Sequence, residues 1–380
     1  MGMASTKDVV IVGGGIVGCS IAFALAKAGM RVCVLDKGGI GEESSAAAAG
    51  MLSGQHGVTN FGPRYQLHLE ARELHAELAE ELRELTGIDV AFCRWGILEL
   101  LFTPGEVRAA DRCYTLQTQA GLRVERLDRD QALSLEPAIT PEIQGAIRYV
   151  DEAHVHNGRL TIALGEAAQR AGAELRGGEP ATALIRRGER VIGVRTPSEA
   201  LQTSSVVVAN GAWAADLLQP LGLRLPVRPV RGQMLAVRTV PRAVQQVIYG
   251  RHMYVVPRPD GETLIGATVE DAGFRKEVTL AGLEELVQAG RRIVPGMMGQ
   301  PVLRTWAGLR PGSPDGLPLV GPVEGLTGLL LAVGHYRNGI LLGPLTGVLI
   351  KQLLVDRVHS PHLDLLRPER FPLQHGPVEA

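Results

Sequence analysis

Gly13, Gly15 and Gly18, followed by Asp36, are the residues whose types and spacing first suggest chemistry. A glycine turn opening into a helix offers unpaired main-chain N–H groups and a positive dipole end to a phosphate. A carboxylate at the end of the next strand can hold a ribose hydroxyl. Gly13 allows the tight turn, Gly15 lets the backbone approach a pyrophosphate, and Gly18 lets the helix lie close on the strand. Together they predict a dinucleotide site and leave open which dinucleotide it holds. The segment 151–158, Asp-Glu-Ala-His-Val-His-Asn-Gly, has the residue types of a metal site, but no further ligand cluster follows it. It reads as a loop leading into a helix cap. Cys19, Cys33, Cys93 and Cys113 form no metal-ligand spacing; Cys19 and Cys33, on the buried faces of the opening helix and strand, read as small core side chains, and a reducing compartment follows.

The elements that must position these groups can be followed along the chain. Residues 9–12 are an apolar strand, an Ala-rich helix runs to Gly29, and residues 32–35 form a second strand ending at Asp36. Next comes a run of small residues, Ser44 to Leu52. It reads either as a core-packed helix start capped by Ser44 or Ser45, or as a surface against which something large and flat lies. Beside a dinucleotide site the second reading is favoured. Leucines at helical spacing predict a helix over 66–85 stopped by Gly87, with its Glu and Arg residues on a solvated face. Residues 90–102 predict a strand or hairpin, 104–121 a helix, 133–139 an approach to a turn at Pro141, and 145–150 a strand. Residues 160–171 then predict a helix, 181–196 a hairpin, and 206–213 a second buried strand. Such a strand end belongs at the carboxyl edge of a parallel sheet, where ligands bind. Residues 254–257 and 263–268 read as paired antiparallel strands, and 280–293 as an amphipathic helix. A last strand at 329–333 turns at 334–339 into a closing helix.

The 380 residues exceed one average domain, and 45% apolar content is enough for a large core, so two lobes are expected. A formal charge of −1 gives no reason to expect nucleic acid or an anionic membrane as partner. The first residues show no secretion signal. The apolar stretch 340–355 contains Gly343, Pro344, Gly347 and Lys351, which suits a buried helix better than a membrane span. The expected setting is cytoplasmic, without an integral membrane segment. The core of the fold appears in three pieces separated by two insertions, with no internal repeat.

The fingerprint at 13–18, with segments 44–52, 206–213, 306–311 and 334–342 in this order, resembles the D-amino-acid oxidase superfamily, and within it the glycine oxidases of bacterial thiamine synthesis. The resemblance implies an α/β fold. A Rossmann-like FAD-binding domain (1–88, 148–222 and 308–380) would stand beside an α+β substrate domain (89–147 and 223–307) carrying a mixed antiparallel sheet. It implies non-covalent FAD, and oxidation of glycine, sarcosine or a small D-amino acid by hydride transfer to flavin N5. Dioxygen would be reduced to hydrogen peroxide and the imine hydrolysed to a keto acid such as glyoxylate. The alternatives are an FAD-dependent dehydrogenase with another acceptor and, from the fingerprint alone, an NAD-dependent dehydrogenase. Homo-oligomers are common among relatives.

By position, the resemblance places Asp36 on the adenosine ribose and Lys37 beside it, with Ile16 and Val17 under the pyrophosphate. Ser44, Ser45, Ala49, Gly50 and Met51 would contact phosphates and flavin, Ala181 the adenine side, and Gly211 the cofactor. His335, Tyr336, Arg337, Asn338, Gly339, Ile340 and Leu341 would follow the flavin edge. The helix start there would aim N–H groups at the charge that reduction leaves on the N1/C2 side. Arg310 would grip the substrate carboxylate, Tyr254 would share it, and Arg337 would be a second arginine nearby. Met51, Val269 and His252 would shape the pocket, Val269 standing where some relatives have Met. An arginine fork can hold a planar carboxylate with two hydrogen bonds, and such positioning can lower a barrier by roughly 7–11 kcal/mol in the best intramolecular cases. No protein base is needed where the amine arrives neutral.

Overall fold

The computed structural model describes residues 7–58 and 60–373. Its first sheet is built around strand Lys7–Val12, whose last four residues are buried. Ala200–Val208 and Val32–Leu35 flank it in parallel, with Glu174–Arg176 beyond the latter. Leu326–Val333 adds in parallel to Ala200–Val208, and Leu319–Val323 closes that edge antiparallel. The hairpin Ala183–Arg187 and Arg190–Arg195 joins the amino-terminal half of Ala200–Val208. Parallel strands covered on both faces must be apolar throughout, which is why Val32–Leu35 reads VCVL with every residue buried.

Helix Ile16–Lys27 covers one face, with Asn157–Arg170 and Gly339–Lys351 packed against it. The closing helix and its extension, Gly339–Asp356, are long and apolar enough to cross a membrane by length and composition. Here Gly339–Lys351 belongs to the core, and Leu353, Leu354 and Val355 of the extension lie half-buried against it. A Cβ on Gly347 would stand 2.6 Å from the Ser20 carbonyl oxygen, so the two helix backbones touch where only glycine fits. Pro344 interrupts this helix and removes the amide that would have bonded the Ile340 carbonyl. Buried His75, from helix Pro63–Thr86, approaches there with Nε2 at 3.1 Å from the Leu341 carbonyl oxygen.

The second sheet runs in the order Val302–Gly312, Arg228–Arg238, Glu262–Gly266, Met253–Pro257, Val247–Gly250, Ile97–Leu101, Gly145–Tyr149, Val124–Asp128. All neighbours are antiparallel except Ile97–Leu101 with Val247–Gly250, so the sheet is mixed. Helix Leu280–Ile293, capped by the Thr279 hydroxyl, buries Leu286, Ala289 and Ile293 in this lobe's core. The fold class is therefore as expected. The expected domain cuts at 147/148 and 307/308 fall within the strands Gly145–Tyr149 and Val302–Gly312 of the second sheet.

Residues 90–102 contain the single strand Ile97–Leu101, the first of the two forms expected there, with Cys93 bridging to His154. Two local expectations need correction. The helix at the small-residue run is Ser44–Ala47, but Glu43 is its cap position and neither serine caps it; both hydroxyls reach to other elements instead. Helix Pro63–Thr86 does not present all its charges to solvent. Arg72 is buried, donating to Gln55 Oε1 at 2.7 Å and to the Glu73 carboxylate, with buried Glu152 at 3.6 Å. Leucine spacing alone does not reveal an arginine on the inner face.

Candidate active site and cofactor cradle

A cavity of about 1080 Å³ runs between the two sheets, from Asp36, Lys37, Ala181 and Trp213 at one end to Tyr254, Arg310 and Arg337 at the other. At its first end Gly13 has φ +110°, and a Cβ there would stand 2.5 Å from the Ala209 carbonyl oxygen. A Cβ on Gly18 would stand 1.8 Å from the Gly13 carbonyl oxygen, so the helix can lie on the turn only because it is glycine. Gly18 serves packing and does not line the cavity; Gly15, Ile16 and Val17 do. Helix Ile16–Lys27 has no side-chain cap at Gly15, although the Ile16 amide donates to Ser45 Oγ at 2.9 Å. The Asp36 carboxylate is fixed by the turn it faces, accepting from the Gly14 amide at 2.6 Å and the Gly38 amide at 2.8 Å. Lys37 Nζ sits 3.3 Å from the centroid of the Trp213 ring. Gly211 and Ala181 line this end as well.

The middle of the cavity is walled by the small-residue run. Ser44 Oγ donates to the Leu309 carbonyl, and Trp306 Nε1 donates to the Ala47 carbonyl at 3.0 Å. Asn157 Nδ2 donates to the carbonyls of Ser45 at 2.6 Å and Ala46 at 2.9 Å. Arg258, almost fully buried, donates to the carbonyls of Ala49 (2.8 Å) and Val155 and to Asn157 Oδ1 (2.9 Å). Gly50 has φ +79°, and a Cβ there would stand 2.1 Å from the Val155 carbonyl oxygen. Ser44, Ser45, Ala49, Gly50 and Met51 all line the cavity. Their small size leaves an open wall, and their carbonyls are held from behind by side chains of the second lobe and the helix Asn157–Arg170.

Opposite lies a cross-strand row defined by register: Glu99 beside Tyr249, Tyr249 beside Tyr254, Tyr254 beside Gly266, Gly266 beside Met234. The Tyr249 and Tyr254 rings stack with centroids 6.3 Å apart. The Arg251–His252 turn between their strands has φ +49° and +70°, the geometry of a two-residue hairpin usually given to Asn or Gly, and it brings His252 to the cavity. Gly266 is the low point of the row; a Cβ there would stand 2.3 Å from Met234 Sδ and 2.9 Å from the Tyr254 ring.

Arg310 reaches over this floor from strand Val302–Gly312. Its guanidinium lies flat on Gly232, and its Nη1 donates to the carbonyls of Arg231 at 3.3 Å and Thr268 at 3.0 Å. The guanidinium also comes within hydrogen-bonding reach of the Tyr254 hydroxyl. Burial pushes the Tyr254 phenol up, and the charges of Arg310 and Arg337 pull it part of the way back. The Tyr249 phenol is likewise pushed up by burial and opposed by Arg337. Tyr254, Arg310 and Arg337 are thus brought together, with Met51 and His252 nearby.

Val269 is not part of this group. Thr268 and Glu270 turn into a buried network with Gln233 and Arg231, and Val269 between them is left 53% exposed, outside the cavity. At the closing helix His335, Tyr336, Arg337, Asn338, Gly339 and Ile340 line the cavity, while the Leu341 side chain is core. Asn338 gives that helix no side-chain cap, so a second set of free amides is available at the cavity. His335 is buried, with Nε2 3.0 Å from Thr346 Oγ1, and burial holds its imidazole down to about 3.

The residues present fit FAD: a cavity of this volume, two helix starts at it whose cap residues give no side-chain hydrogen bond, a carboxylate held at the glycine turn, and a wall of small residues. Among the described residues no group of three or more His, Cys, Asp or Glu could hold a metal. In the 151–158 segment His156 instead caps its helix, Nδ1 accepting from the Arg159 amide at 3.3 Å.

Tyr249, Glu99, His56, Gly232 and Met234 also line the cavity without having been singled out from the sequence. Glu99 had a readable signal, a lone carboxylate in the apolar run Ile-Leu-Glu-Leu-Leu. Tyr249 could have been found by pairing it with Tyr254 across a two-residue turn. His56, on a loop between elements, carried no such signal.

Comparison with known proteins bears on the whole chain. Residues 8–353 match the family model described as DAO, FAD dependent oxidoreductase. Glycine oxidase from Geobacillus kaustophilus is 38% identical over 93% of this chain and 94% of its own. The bifunctional protein ThiO/ThiG of Trichormus variabilis is 34% identical over 97% of this chain and 56% of its own length. A crystal structure of the Geobacillus kaustophilus glycine oxidase superposes with TM-score 0.89 at 37% identity, covering 94% of this chain and 96% of the other.

Proposed function

The chain belongs to the FAD-dependent oxidoreductase family that includes the D-amino-acid oxidases, and from that premise we propose that it oxidises glycine and small amine-bearing acids, among them sarcosine, D-alanine and D-proline, with dioxygen as acceptor. It is an FAD-dependent amine oxidase of the glycine oxidase type. The observation that carries the substrate class is Arg310, laid across Gly232 beside Tyr254 at the end of the cavity that continues from the dinucleotide cradle.

The chain's residues divide the work. Arg310 presents its Nη2 edge, beside the Tyr254 hydroxyl, to a carboxylate, since carbonyls already occupy Nη1. Tyr254, kept protonated by burial, donates its hydroxyl to the same carboxylate. The Tyr249 and Tyr254 rings and Met51 exclude water around the carbon bearing the amine. When bound, FAD supplies the two-electron acceptor for the Cα–H, and dioxygen then takes the electrons as hydrogen peroxide. The imine hydrolyses to a keto acid and ammonia, giving glyoxylate from glycine. Likeness to a bifunctional ThiO/ThiG protein over 56% of that protein's length supports a role for the imine in thiazole formation for thiamine. Four free thiols, three of them buried, support a reducing cytoplasmic setting.

The test is anaerobic mixing of the FAD-loaded protein with glycine, sarcosine, D-alanine, D-proline and L-amino acids, read as bleaching of flavin absorbance. Bleaching by the first group, followed by peroxide on readmission of air, is the expected result. Bleaching that air does not reverse would make the protein a dehydrogenase with another acceptor. No bleaching by any amine would overturn the reading.

A further inference from the structure

The antiparallel ladder between Arg228–Arg238 and Glu262–Gly266 runs in register from Arg238 with Glu262 to Met234 with Gly266. Pairing resumes at Arg231 with Glu270, which exchange both main-chain hydrogen bonds at 2.9 Å. Gly232 and Gln233 therefore oppose Ala267, Thr268 and Val269, a bulge of one extra residue. Inside it the Thr268 amide donates to the Gln233 carbonyl at 3.3 Å, but the return bond is rerouted: the Gln233 amide donates to Thr268 Oγ1 at 2.9 Å. The Thr268 carbonyl is left out of the ladder. It accepts instead from Arg310 Nη1 at 3.0 Å, and the Arg231 carbonyl accepts from the same nitrogen at 3.3 Å.

A hydroxyl that accepts from Gln233 must send its own proton elsewhere, and Glu270 takes it. Glu270 Oε1 accepts from Thr268 Oγ1 and from Gln233 Nε2 at 2.8 Å; Oε2 accepts from Arg231 Nε at 3.2 Å and from Arg231 Nη2. Burial alone would push the Glu270 carboxyl up, but hydrogen bonds from Thr268, Arg231 and Gln233 hold it below its usual range. Gln233 is tied in turn to Thr279, the cap of helix Leu280–Ile293. Its Nε2 donates to Thr279 Oγ1 at 3.1 Å, and the Thr279 amide donates back to Gln233 Oε1 at 2.8 Å. Glu270 and Gln233 stand behind the cavity wall and do not line it.

We propose that Glu270 is a positioning residue for the substrate carboxylate: through Thr268 and Arg231 it fixes the two main-chain carbonyls that aim the Arg310 fork. This rests on the amine oxidation proposed above and adds to it how the fork is held. Both carbonyls belong to the backbone, so the aim of Arg310 depends on the shape of the bulge. A carboxylate at 270 takes the Thr268 proton, orients the Gln233 side chain and neutralises Arg231, whose side chain is 9% exposed. Without that charge Arg231 becomes a buried cation whose remaining carboxylate, Glu277, is 3.8 Å away and largely exposed. The bulge can then relax toward the regular ladder, in which the Gln233 amide takes the Thr268 carbonyl away from Arg310.

The experiment compares FAD-loaded wild type, Glu270→Gln, Glu270→Asp, Thr268→Val and Thr268→Ser in anaerobic rapid mixing with glycine. It reads the glycine Kd and the limiting rate of flavin reduction separately, beside FAD content and thermal midpoint. A second titration uses glycolate, which has the carboxylate but a hydroxyl in place of the amine, followed by the change in flavin absorbance. Glu270→Gln and Thr268→Val should weaken glycine and glycolate alike by about 10-fold, as expected for residues of one hydrogen-bonded network. The limiting rate should fall by less than about threefold, with FAD content unchanged. Glu270→Asp and Thr268→Ser should each recover part of the affinity. In an Arg310→Ala background Glu270→Gln should cost no further affinity. Unchanged affinities in Glu270→Gln and Thr268→Val, or the same loss with Arg310 absent, overturn the proposal while leaving the amine oxidase reading intact. Should Glu270→Gln not fold, Thr268→Val against Thr268→Ser decides. A wild type that no amine reduces removes the oxidase reading, and the glycolate affinities then decide the positioning role by themselves. A wild type that glycolate does not perturb either removes both.

Discussion

The Arg310 guanidinium rests on Gly232: a Cβ there would stand 2.3 Å from both Nη1 and Nη2 and 2.4 Å from Cζ. A methyl group there would have to displace the end of the arginine side chain, whose Nη1 is held by two carbonyls. Gly232→Ala should therefore lift the fork and leave the cofactor cradle intact. A weakened charge-assisted contact is worth about 1.5–3 kcal/mol. We expect KM for glycine to rise about 10- to 100-fold, with kcat falling less and FAD content unchanged. Steady-state kinetics beside a flavin absorbance ratio check this, and an unchanged KM would contradict the contact.

Removing the fork outright tests the role that Gly232 only supports. Arg310→Ala should raise KM for glycine by the loss of a desolvated charge pair, about 2–5 kcal/mol. The FAD absorbance of the purified variant should match wild type, because the described contacts of Arg310 are all within the second lobe. Activity equal to wild type would refute a carboxylate-binding role.

Acid should destabilise the fold through its buried imidazoles. Burial holds His68 and His75 down to about 4, and His154 and His335 down to about 3. In the unfolded chain the same groups titrate near 6.5. Between these values the unfolded state binds more protons, so stability present above pH 6.5 is lost as pH falls toward 3–4. Each histidine contributes up to about 1.4 kcal/mol per pH unit inside that window. Glu136 and Glu152, whose carboxyls burial pushes up, oppose the loss at its acid end. Urea midpoints at pH 7.5, 6.5 and 5.5 should fall in that order, and a flat series would be inconsistent with these neutral buried rings.

What the sequence made legible follows from which forces act locally. The fingerprint glycines, Asp36, the helix 280–293 and the turn into the closing helix are set by backbone sterics, capping and short-range periodicity, and the structure has them where the sequence places them. Arg310 and Tyr254 were found by resemblance and lie in one cavity. Val269 was misplaced because its position depends on the Thr268–Glu270 network, which forms only once Gln233 and Arg231 arrive from another strand. Arg72 and His56 were missed for the same reason: each is defined by partners distant in the chain, Gln55 in one case and Glu99 in the other.

Arg258 lies behind the cradle with no described carboxylate partner, and burial brings its guanidinium down to about 10. Its Nη1 and Nη2 donate to the carbonyls of Val155 and Ala49 and to Asn157 Oδ1, Nε has no partner among the described residues, and Asn157 in turn holds Ser45 and Ala46. Replacing it with Met keeps volume and removes the cost of a buried charge, which favours the variant. It also strands three acceptors, each worth about 1–3 kcal/mol when left unpaired in the interior. Because one of them, Ala49, is in the cavity wall, the loss should fall on cofactor retention as well as on folding. Arg258→Met should show a lower thermal midpoint and an FAD dissociation constant raised at least about tenfold, corresponding to about 1.4 kcal/mol. Titration of the apoprotein with FAD, followed by flavin fluorescence, measures the second quantity. A lower midpoint with an unchanged FAD constant would confine Arg258 to joining the two lobes and detach it from the cradle.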